Sequence, residues 1–307
     1  MSSSNRYVSA SQKDSTTMSA KPSSSLTSNT SARLSELQQG LGYKQAGGSG
    51  PAALISGLKV NVDEVSTFSF IRDVDDVSTV VNTLLGLPVS PPSIYVDLEG
   101  VNLSRQGTIS ILQIYVAPLD QTYLIDVHTM GERAFSMIGS SGVSLKDILE
   151  LATIPKVFFD VRNDADALFS HFGIRLLGVK DLQLMELATR FGGKTFVRGL
   201  AKCIEYDAPM TKQEKRVWKA VKEIGLKLFD PQLGGSYEVF NQRPLPVDIQ
   251  NYCVQDVRFL PKLWELYNSK LTRDWAARVD KAVINRVREA QSATYQGHGP
   301  HKALGPW

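Results

Sequence analysis

Polar and hydrophobic positions alternate in the middle of the chain with the two-residue period of β-strands. Three runs rich in β-branched and aromatic residues follow one another closely: SIYVDLEG from Ser93, TISILQIYVA from Thr108 and TYLIDV from Thr122. The short, turn-like connections between them predict an antiparallel meander. A fourth run, KVFFDV from Lys156, predicts a further strand.

Helical patterns precede and follow these strands. The segment from Asp73 to Gly86 opens with acidic residues suited to a helix N-terminus and ends with a glycine suited to a C-cap. After the fourth strand, Asn163 and Asp166 have the spacing of a capping box, and Gly173 is suited to ending that helix. Helical periodicity dominates from Leu182 onward. The pattern predicts an α/β domain with a mixed sheet flanked by helices.

The first 50 residues differ in composition from the rest. They are rich in Ser and Thr, hold almost no large apolar residue and run into GGSGP. Such a segment buries too little apolar surface to offset its ordering entropy, so we predict a disordered tail over residues 1–52. A transit peptide is the alternative, but the Arg-studded amphipathic helix typical of one is missing. We assign residues 53–270 to one domain and 271–307 to a C-terminal helix and tail that pack on it or extend from it.

Composition narrows the class of protein. The chain has 307 residues, 42% of them hydrophobic, and a net charge of +3 that arises in the first 50 residues. No uninterrupted apolar run reaches the ~18 residues of a membrane span, so we expect no membrane partner. Two cysteines, Cys203 and Cys253, indicate a reducing compartment. We therefore expect an intracellular protein, cytoplasmic or nuclear rather than mitochondrial.

The strand IYVDLEG carries the first candidate chemistry. Side chains alternate along a strand, so Tyr95, Asp97 and Glu99 share one face. Two carboxylates ~7 Å apart on a mostly apolar strand are costly to bury without a cation between them. An edge strand with a solvated acidic face is the alternative interpretation of this triplet.

A second candidate lies in the helical segment INYCVQDVRFLPKLWELY. At ~100° per residue, Asp256 falls near the centre of an apolar stripe, and Tyr252 points the same way one turn earlier. A carboxylate there needs either neighbouring amides or a metal, and the pattern does not choose between them. Pro261 should kink or restart the helix. Asp164 by itself is explained as a favourable charge at a helix N-terminus.

Five residues stand in an order that resembles the DEDDy group of 3′–5′ exonucleases: Asp97, Glu99, Asp164, Tyr252 and Asp256. This group is the branch of the ribonuclease H-like superfamily that includes ribonuclease D, the Werner-type exonuclease and Egalitarian-like proteins. The motifs that carry the resemblance are YVDLEG, SILQI, FFDVRNDADALF, and RPLP followed by YCVQDVRFL. The resemblance implies an α/β fold with a ribonuclease H-like mixed β-sheet flanked by α-helices.

The resemblance also implies an activity. It points to a metal-dependent 3′–5′ exonuclease that hydrolyses phosphodiester bonds at the 3′ end of single-stranded nucleic acid, with RNA favoured over DNA. Asp97, Glu99 and Asp256 would hold one divalent ion. Asp97 would also reach a second ion, whose water shell Asp164 would hold, and both ions would be Mg²⁺ or Mn²⁺. Tyr252 would orient the attacking water. The alternative is a non-catalytic, Egalitarian-like RNA-binding adaptor, which would have no need to keep all five residues.

A basic helix is predicted from Lys212 to Leu228, within an insertion longer than we expect for the smaller members of this group. Its basic residues share one face: Lys212, Lys215, Arg216, Lys219 and Lys222. We predict that they bind the phosphates of single-stranded nucleic acid beside the active site, although a solvated helix face would show the same pattern. The histidines have no metal-ligand spacing with the cysteines, which argues against a zinc site.

Overall fold

The structure is a computed structural model that describes residues 67–307. The predicted tail at residues 1–52 and the first part of the predicted domain, residues 53–66, lie outside the described residues. None of the helices within residues 67–307 combines the length and the apolar character that a bilayer-spanning segment requires.

Six strands form one mixed sheet in the order β1-β4-β3-β2-β5-β6. Their bounds are β1 Thr67–Ile71, β2 Ile94–Glu99, β3 Ile111–Val116, β4 Gln121–Asp126, β5 Lys156–Phe158 and β6 Val179–Asp181. Strands β2, β3 and β4 form the predicted antiparallel meander, whereas β1, β5 and β6 pair in parallel with their neighbours. The two edge strands, β1 and β6, have five and three residues and are not among the strands predicted from the sequence.

Eleven helices of the α type surround the sheet within residues 67–307. Their bounds are α1 Val74–Leu85, α2 Val127–Met130, α3 Arg133–Ser136, α4 Leu145–Glu150, α5 Arg162–Phe172, α6 Leu182–Thr189, α7 Leu200–Asp207, α8 Lys212–Phe229, α9 Val247–Arg258, α10 Leu260–Lys270 and α11 Arg273–Ala290. As predicted, Asp73 caps α1, and Gly173 ends α5 in a left-handed conformation with φ 63°. Pro261 stands in the first turn of α10, where the helical segment restarts after α9.

The capping box predicted for Asn163 and Asp166 is wrong, because α5 begins at Arg162, two residues earlier than the box requires, and both side chains lie inside the helix. The Asp166 carboxylate accepts hydrogen bonds from the backbone N and the Nε of Arg105, at 2.8 and 2.6 Å. The Asn163 Oδ1 accepts one from the Tyr295 hydroxyl at 2.8 Å. Distant parts of the chain therefore use these two groups, which a local spacing rule cannot show.

Helix α11 packs against α5 and α6. Its Arg286 is buried, and the guanidinium donates to Asp181 at 2.7 Å and to Gln183 at 2.9 Å. A buried cation is tolerated only when it is paired in this way, so these contacts hold α11 in one position. The chain then returns to the domain, where the carbonyl of Ala303 accepts a hydrogen bond from the backbone of Val197.

Candidate active site

Strand β2 and helix α9 bring three of the predicted carboxylates together. Strand β2 lies between β3 and β5, which rules out an edge strand, and α9 packs across β2, β3 and β4. One carboxylate oxygen from each of Asp97, Glu99 and Asp256 lies within 4.8 Å of the other two. Asp256 is buried, and the two strand carboxylates are half-buried. The alternation of the strand and the stripe of the helix therefore converge on one carboxylate cluster, which is formed by these three residues.

Asp164 lies beside the carboxylate cluster rather than in it. It stands in the first turn of α5 and is buried. Burial raises the pKa of the Asp164 carboxyl well above its usual range, and the charge of Asp97 raises it further. Asp164 is thus close enough to Asp97 for their charges to interact, but it is not one of the three residues whose carboxylate oxygens group together.

Burial, together with the crowding of negative charge, raises the pKa values of the strand carboxyls. Burial and the neighbouring Asp256 raise the pKa of Asp97 to about 7, although Lys222 opposes them. Burial and the charge of Asp97 likewise raise the pKa of Glu99 well above its usual range. Each ionised form is therefore disfavoured until positive charge comes close.

A lysine supplies positive charge within the site. The Lys222 Nζ donates to both carboxylate oxygens of Asp256, at 2.7 and 2.9 Å, and to the Tyr252 hydroxyl at 2.8 Å. It also lies 4.1 Å from the centre of the Tyr252 ring. Lys222, which the sequence pattern groups with the basic face of α8, thus points into the site, and its side chain is only 14% exposed. A signal was present in the sequence: Lys222 follows Trp218 by four residues, which puts it on the buried side of α8.

The other basic residues of α8 remain near solvent. Lys219 pairs with Glu205 at 2.6 Å, so part of the predicted basic face is neutralised by an acid of α7. Lys212 and Arg216 are exposed, and Lys215 is half-buried. The part of the predicted basic face that remains available to a polyanion therefore lies in the N-terminal half of α8.

Helix α8 packs tightly against Tyr252 of α9 at Gly225. A Cβ added there would lie 2.3 Å from Cδ2 of Tyr252. The edge of the Phe229 ring also packs on the Tyr252 ring, with the ring centres 5.0 Å apart. These contacts hold the tyrosine ring in place, and the absence of a side chain at Gly225 is what makes room for it.

We expect Gly225→Ala to destabilise the protein and to lower turnover, because the new methyl group forces Tyr252 or the whole of α8 to move. Overpacking of this kind costs about 1–3 kcal/mol in the free energy of unfolding. Denaturant unfolding measures the cost. Gly193→Ala is the matched control, since nothing lies within 4 Å of a Cβ at that position. Equal stability of the two variants would contradict the prediction.

The RPLP motif fixes the start of α9 against the sheet. The Arg243 Nε donates to the Asp126 carboxylate at 2.7 Å, and its Nη1 donates to the Phe240 carbonyl at 2.8 Å. Asp126 ends β4 and is buried. Since α9 starts four residues after Arg243, this ion pair sets the position from which Tyr252 and Asp256 reach the carboxylate cluster.

The C-terminal segment brings a second lysine near Asp164. The Lys302 Nζ donates to the Asn163 Oδ1 at 2.8 Å and to the Tyr295 hydroxyl at 2.6 Å. Its charge opposes the rise in the pKa of Asp164. Sequence reasoning missed Lys302 and Tyr295, and no signal could have found them, because the partner helix is more than 130 residues away in the chain.

The donor set of the carboxylate cluster fits a divalent ion. Carboxylate oxygens are the ligands that Mg²⁺ and Mn²⁺ prefer. The raised pKa values of Asp97 and Glu99 show that these oxygens lack sufficient compensating charge. A bound divalent cation would remove that deficit, so the chemistry and the electrostatics of the cluster both suit a metal.

Comparison with known proteins assigns a family to this architecture. The sequence model of the 3′–5′ exonuclease family matches residues 68–272, a span that holds all five residues of the predicted site. The chain is also similar to the piRNA biogenesis protein EXD1 of Mus musculus, with 28% identity over 213 residues. This match covers 67% of the chain and 34% of the relative. The chain therefore spans about a third of the length of this curated relative.

Solved structures confirm the predicted fold class. The RNase D of Trypanosoma brucei in complex with RNA U12 matches with a TM-score of 0.62 and 20% identity, over 78% of this chain and 76% of that one. The catalytic core of RRP6 from the same organism matches with a TM-score of 0.53 and 18% identity, over 74% and 53%. At these identities the likeness establishes the fold, a mixed sheet flanked by helices of the ribonuclease H-like type.

Proposed function

The chain belongs to the 3′–5′ exonuclease family, as a DEDDy-type domain of the ribonuclease H-like superfamily, and on this basis we propose that it shortens single-stranded RNA from the 3′ end by metal-dependent hydrolysis. The observation that carries the proposal is the carboxylate cluster with Tyr252 beside it. A preference for RNA is supported by two relatives: one is named for piRNA biogenesis, and the other was solved with RNA U12.

The carboxylates have distinct roles in the proposed reaction. Asp97, Glu99 and Asp256 would hold one Mg²⁺ or Mn²⁺ ion, while Asp97 would also reach a second ion and Asp164 would hold the water shell of that second ion. The ions, when bound, supply positive charge that stabilises an in-line displacement at phosphorus. Asp97 is central to this scheme because it lies in the carboxylate cluster and also acts electrostatically on Asp164.

Tyr252 acts in this scheme as a hydrogen-bonding group that orients the attacking water. Burial and the charge of Asp256 raise the pKa of the Tyr252 hydroxyl well above its usual range. The hydroxyl therefore keeps its proton at neutral pH and can donate while it also accepts. Tyr252 positions the attacking water and does not serve as the base that deprotonates this water.

Substrate binding is assigned to the N-terminal half of α8. Lys212, Lys215 and Arg216 form the basic patch of this proposal, whereas Lys219 is paired with Glu205 and Lys222 lies in the active site. Lys215 stands seven residues before Lys222, which places it about 10 Å away along the same face of the helix. The patch is thus near enough to reach phosphates of a strand whose 3′ end lies at the carboxylates.

Replacing the three residues of the basic patch with Ala should weaken RNA binding and leave turnover at saturating substrate unchanged. Removing one lysine or arginine from a phosphate of single-stranded RNA lowers the slope of log affinity against log salt by ~0.7. The triple variant should therefore show a slope smaller by about 2, measured by fluorescence anisotropy over a salt series. An unchanged slope would mean that the patch only solvates the helix.

A direct cleavage assay tests the proposed function. The purified protein is incubated with 5′-labelled single-stranded RNA and DNA of the same sequence, with Mg²⁺, Mn²⁺ or EDTA. We expect a ladder of 3′-shortened RNA that EDTA abolishes, and slower shortening of DNA. Equal rates on both substrates would contradict the RNA preference, and RNA binding without shortening would contradict the exonuclease.

A non-catalytic RNA-binding adaptor is the second candidate. The observation that favours it is the ion pair between Lys222 and Asp256, which satisfies one of the carboxylates without a metal. Such an adaptor would bind RNA equally well in EDTA and would bind no Mn²⁺ at the cluster. The five-residue set favours the enzyme, because an adaptor needs neither the carboxylates nor the tyrosine.

The domain limits and the location are also proposals. We propose that the exonuclease domain occupies residues 53–270, that residues 271–307 complete it, and that residues 1–52 are dispensable for cleavage. We also propose that it acts inside the cell, in the cytoplasm or nucleus.

A further inference from the structure

Lys222 differs from the other lysines of α8 in the position of its ammonium group. Its ammonium contacts both oxygens of Asp256 and the Tyr252 hydroxyl, and it lies 4.1 Å from the centre of the Tyr252 ring. Lys219, three residues earlier, keeps 48% of its side chain exposed, against 14% for Lys222. The helix thus directs one cation into the carboxylate cluster.

The ammonium and a divalent ion need the same oxygens. The Lys222 Nζ lies 2.7 and 2.9 Å from the two oxygens of Asp256. A Mg²⁺ ion held by these oxygens would lie ~2.0–2.1 Å from them. Two cations so close together repel each other strongly and compete for the same lone pairs. While the ammonium bridges both oxygens of Asp256, the lysine and a metal ion therefore compete for this carboxylate.

We propose that Lys222 is a built-in competitor of the divalent ion for Asp256, so that this lysine sets the metal affinity of the active site. The inference rests on the proposed function, since it takes the carboxylate cluster as the metal site. Metal binding displaces the ammonium, and the four rotatable bonds of the lysine stem allow this without movement of α8.

The displacement also affects Tyr252. In the structure its hydroxyl accepts a hydrogen bond from the Lys222 Nζ at 2.8 Å. When the ammonium leaves, that acceptor position becomes available to the attacking water. Metal binding and the loss of this hydrogen bond to the Tyr252 hydroxyl are thereby coupled through one side chain. Lys222 is therefore a positioning residue for Tyr252.

The test compares Lys222→Met with Lys219→Met. Methionine keeps most of the length and the apolar packing of lysine while removing its charge. Calorimetric titration with Mn²⁺ should show affinity at least tenfold higher in Lys222→Met than in the wild type, and unchanged affinity in Lys219→Met. The metal-free Lys222→Met protein should also melt at a lower temperature than the wild type, and Mn²⁺ should raise its Tm by more.

Two results would overturn the inference in distinguishable ways. Equal Mn²⁺ affinity in Lys222→Met and the wild type would refute the competition while leaving the proposed exonuclease intact. Absence of Mn²⁺ binding in both proteins would refute the competition together with the metal-dependent function.

A measurement on the wild type alone covers the case in which Lys222→Met fails to fold. Brief treatment with an amine-acylating reagent, followed by mass spectrometry, reports how accessible each lysine is. Saturating Mn²⁺ should increase labelling of Lys222 several-fold relative to Lys219. Unchanged labelling of Lys222 would show that the ammonium stays on Asp256, and the competition would then be refuted.

Discussion

Replacement of Asp97 by Asn is expected to abolish RNA cleavage at any accessible Mg²⁺ concentration. Asp97 contributes an oxygen to the carboxylate cluster and raises the pKa of Asp164, so it is the carboxylate shared by the two proposed ions. An amide has nearly the same shape but carries no charge, and both ions would lose a charged ligand. Single-turnover cleavage and calorimetric Mn²⁺ titration measure the two losses.

The same substitution should leave the metal-free fold at least as stable as the wild type. The pKa of Asp97 is about 7 in the folded protein, against an ordinary value of 3.8. Because the folded pKa is the higher one, ionisation of Asp97 disfavours folding increasingly as the pH rises from about 4 to above 7. The Asn variant lacks this cost, so its advantage should grow over that range in thermal unfolding. A variant that still binds two ions, or unfolds more easily at pH 8, would contradict the assignment.

Tyr252→Phe should lower turnover by ~10²–10⁴ and leave metal and RNA binding intact. This range is the usual contribution of a group that positions or transfers a proton. The ring contacts with Gly225 and Phe229 survive, because only the hydroxyl is removed. Single-turnover rates at saturating Mn²⁺ measure the effect.

The matched control is Tyr237→Phe. Tyr237 packs on the same Phe229 ring from outside the site, with the ring centres 5.8 Å apart, so loss of its hydroxyl should leave turnover unchanged. Cleavage by Tyr252→Phe at the wild-type rate would refute the role of Tyr252 even if the protein is a nuclease. Loss of Mn²⁺ binding in that variant would mean that the hydroxyl supports the metal site instead.

Comparison of Asp97→Asn with Tyr252→Phe separates the role of carboxylate charge in metal binding from the role of the tyrosine hydroxyl in orienting the attacking water. Asp97→Asn should remove both metal binding and cleavage, whereas Tyr252→Phe should remove most of the cleavage alone. Lys222 connects the metal site with the water-orienting tyrosine, since its ammonium contacts both Asp256 and the Tyr252 hydroxyl. Tyr252→Phe, which should keep its metal site, is therefore best compared with the wild type at saturating Mn²⁺, where the proposed competition from Lys222 no longer limits the result.

The sequence by itself determined the strand meander and the faces that carry the chemistry. Alternation along β2 places Asp97 and Glu99 on one face, and the helical period of α9 places Tyr252 and Asp256 on one stripe. The face on which a side chain lies depends only on the local backbone, so a short stretch of sequence is enough to predict it. The motifs in their order also indicated the family that the comparison then confirmed.

Only the tertiary structure decided which faces meet. The periodicity of α8 shows a basic face, but the packing of α8 on α9 is what brings Lys222 to Asp256. The placement of Asp164 beside Asp97, and of Lys302 beside Asn163, likewise depends on segments far apart in the chain. Local periodicity fixes the direction of a side chain relative to its own helix or strand. Its partner, and with it the charge balance of the site, depends on how the elements pack, because burial and neighbouring charges are properties of the assembled fold.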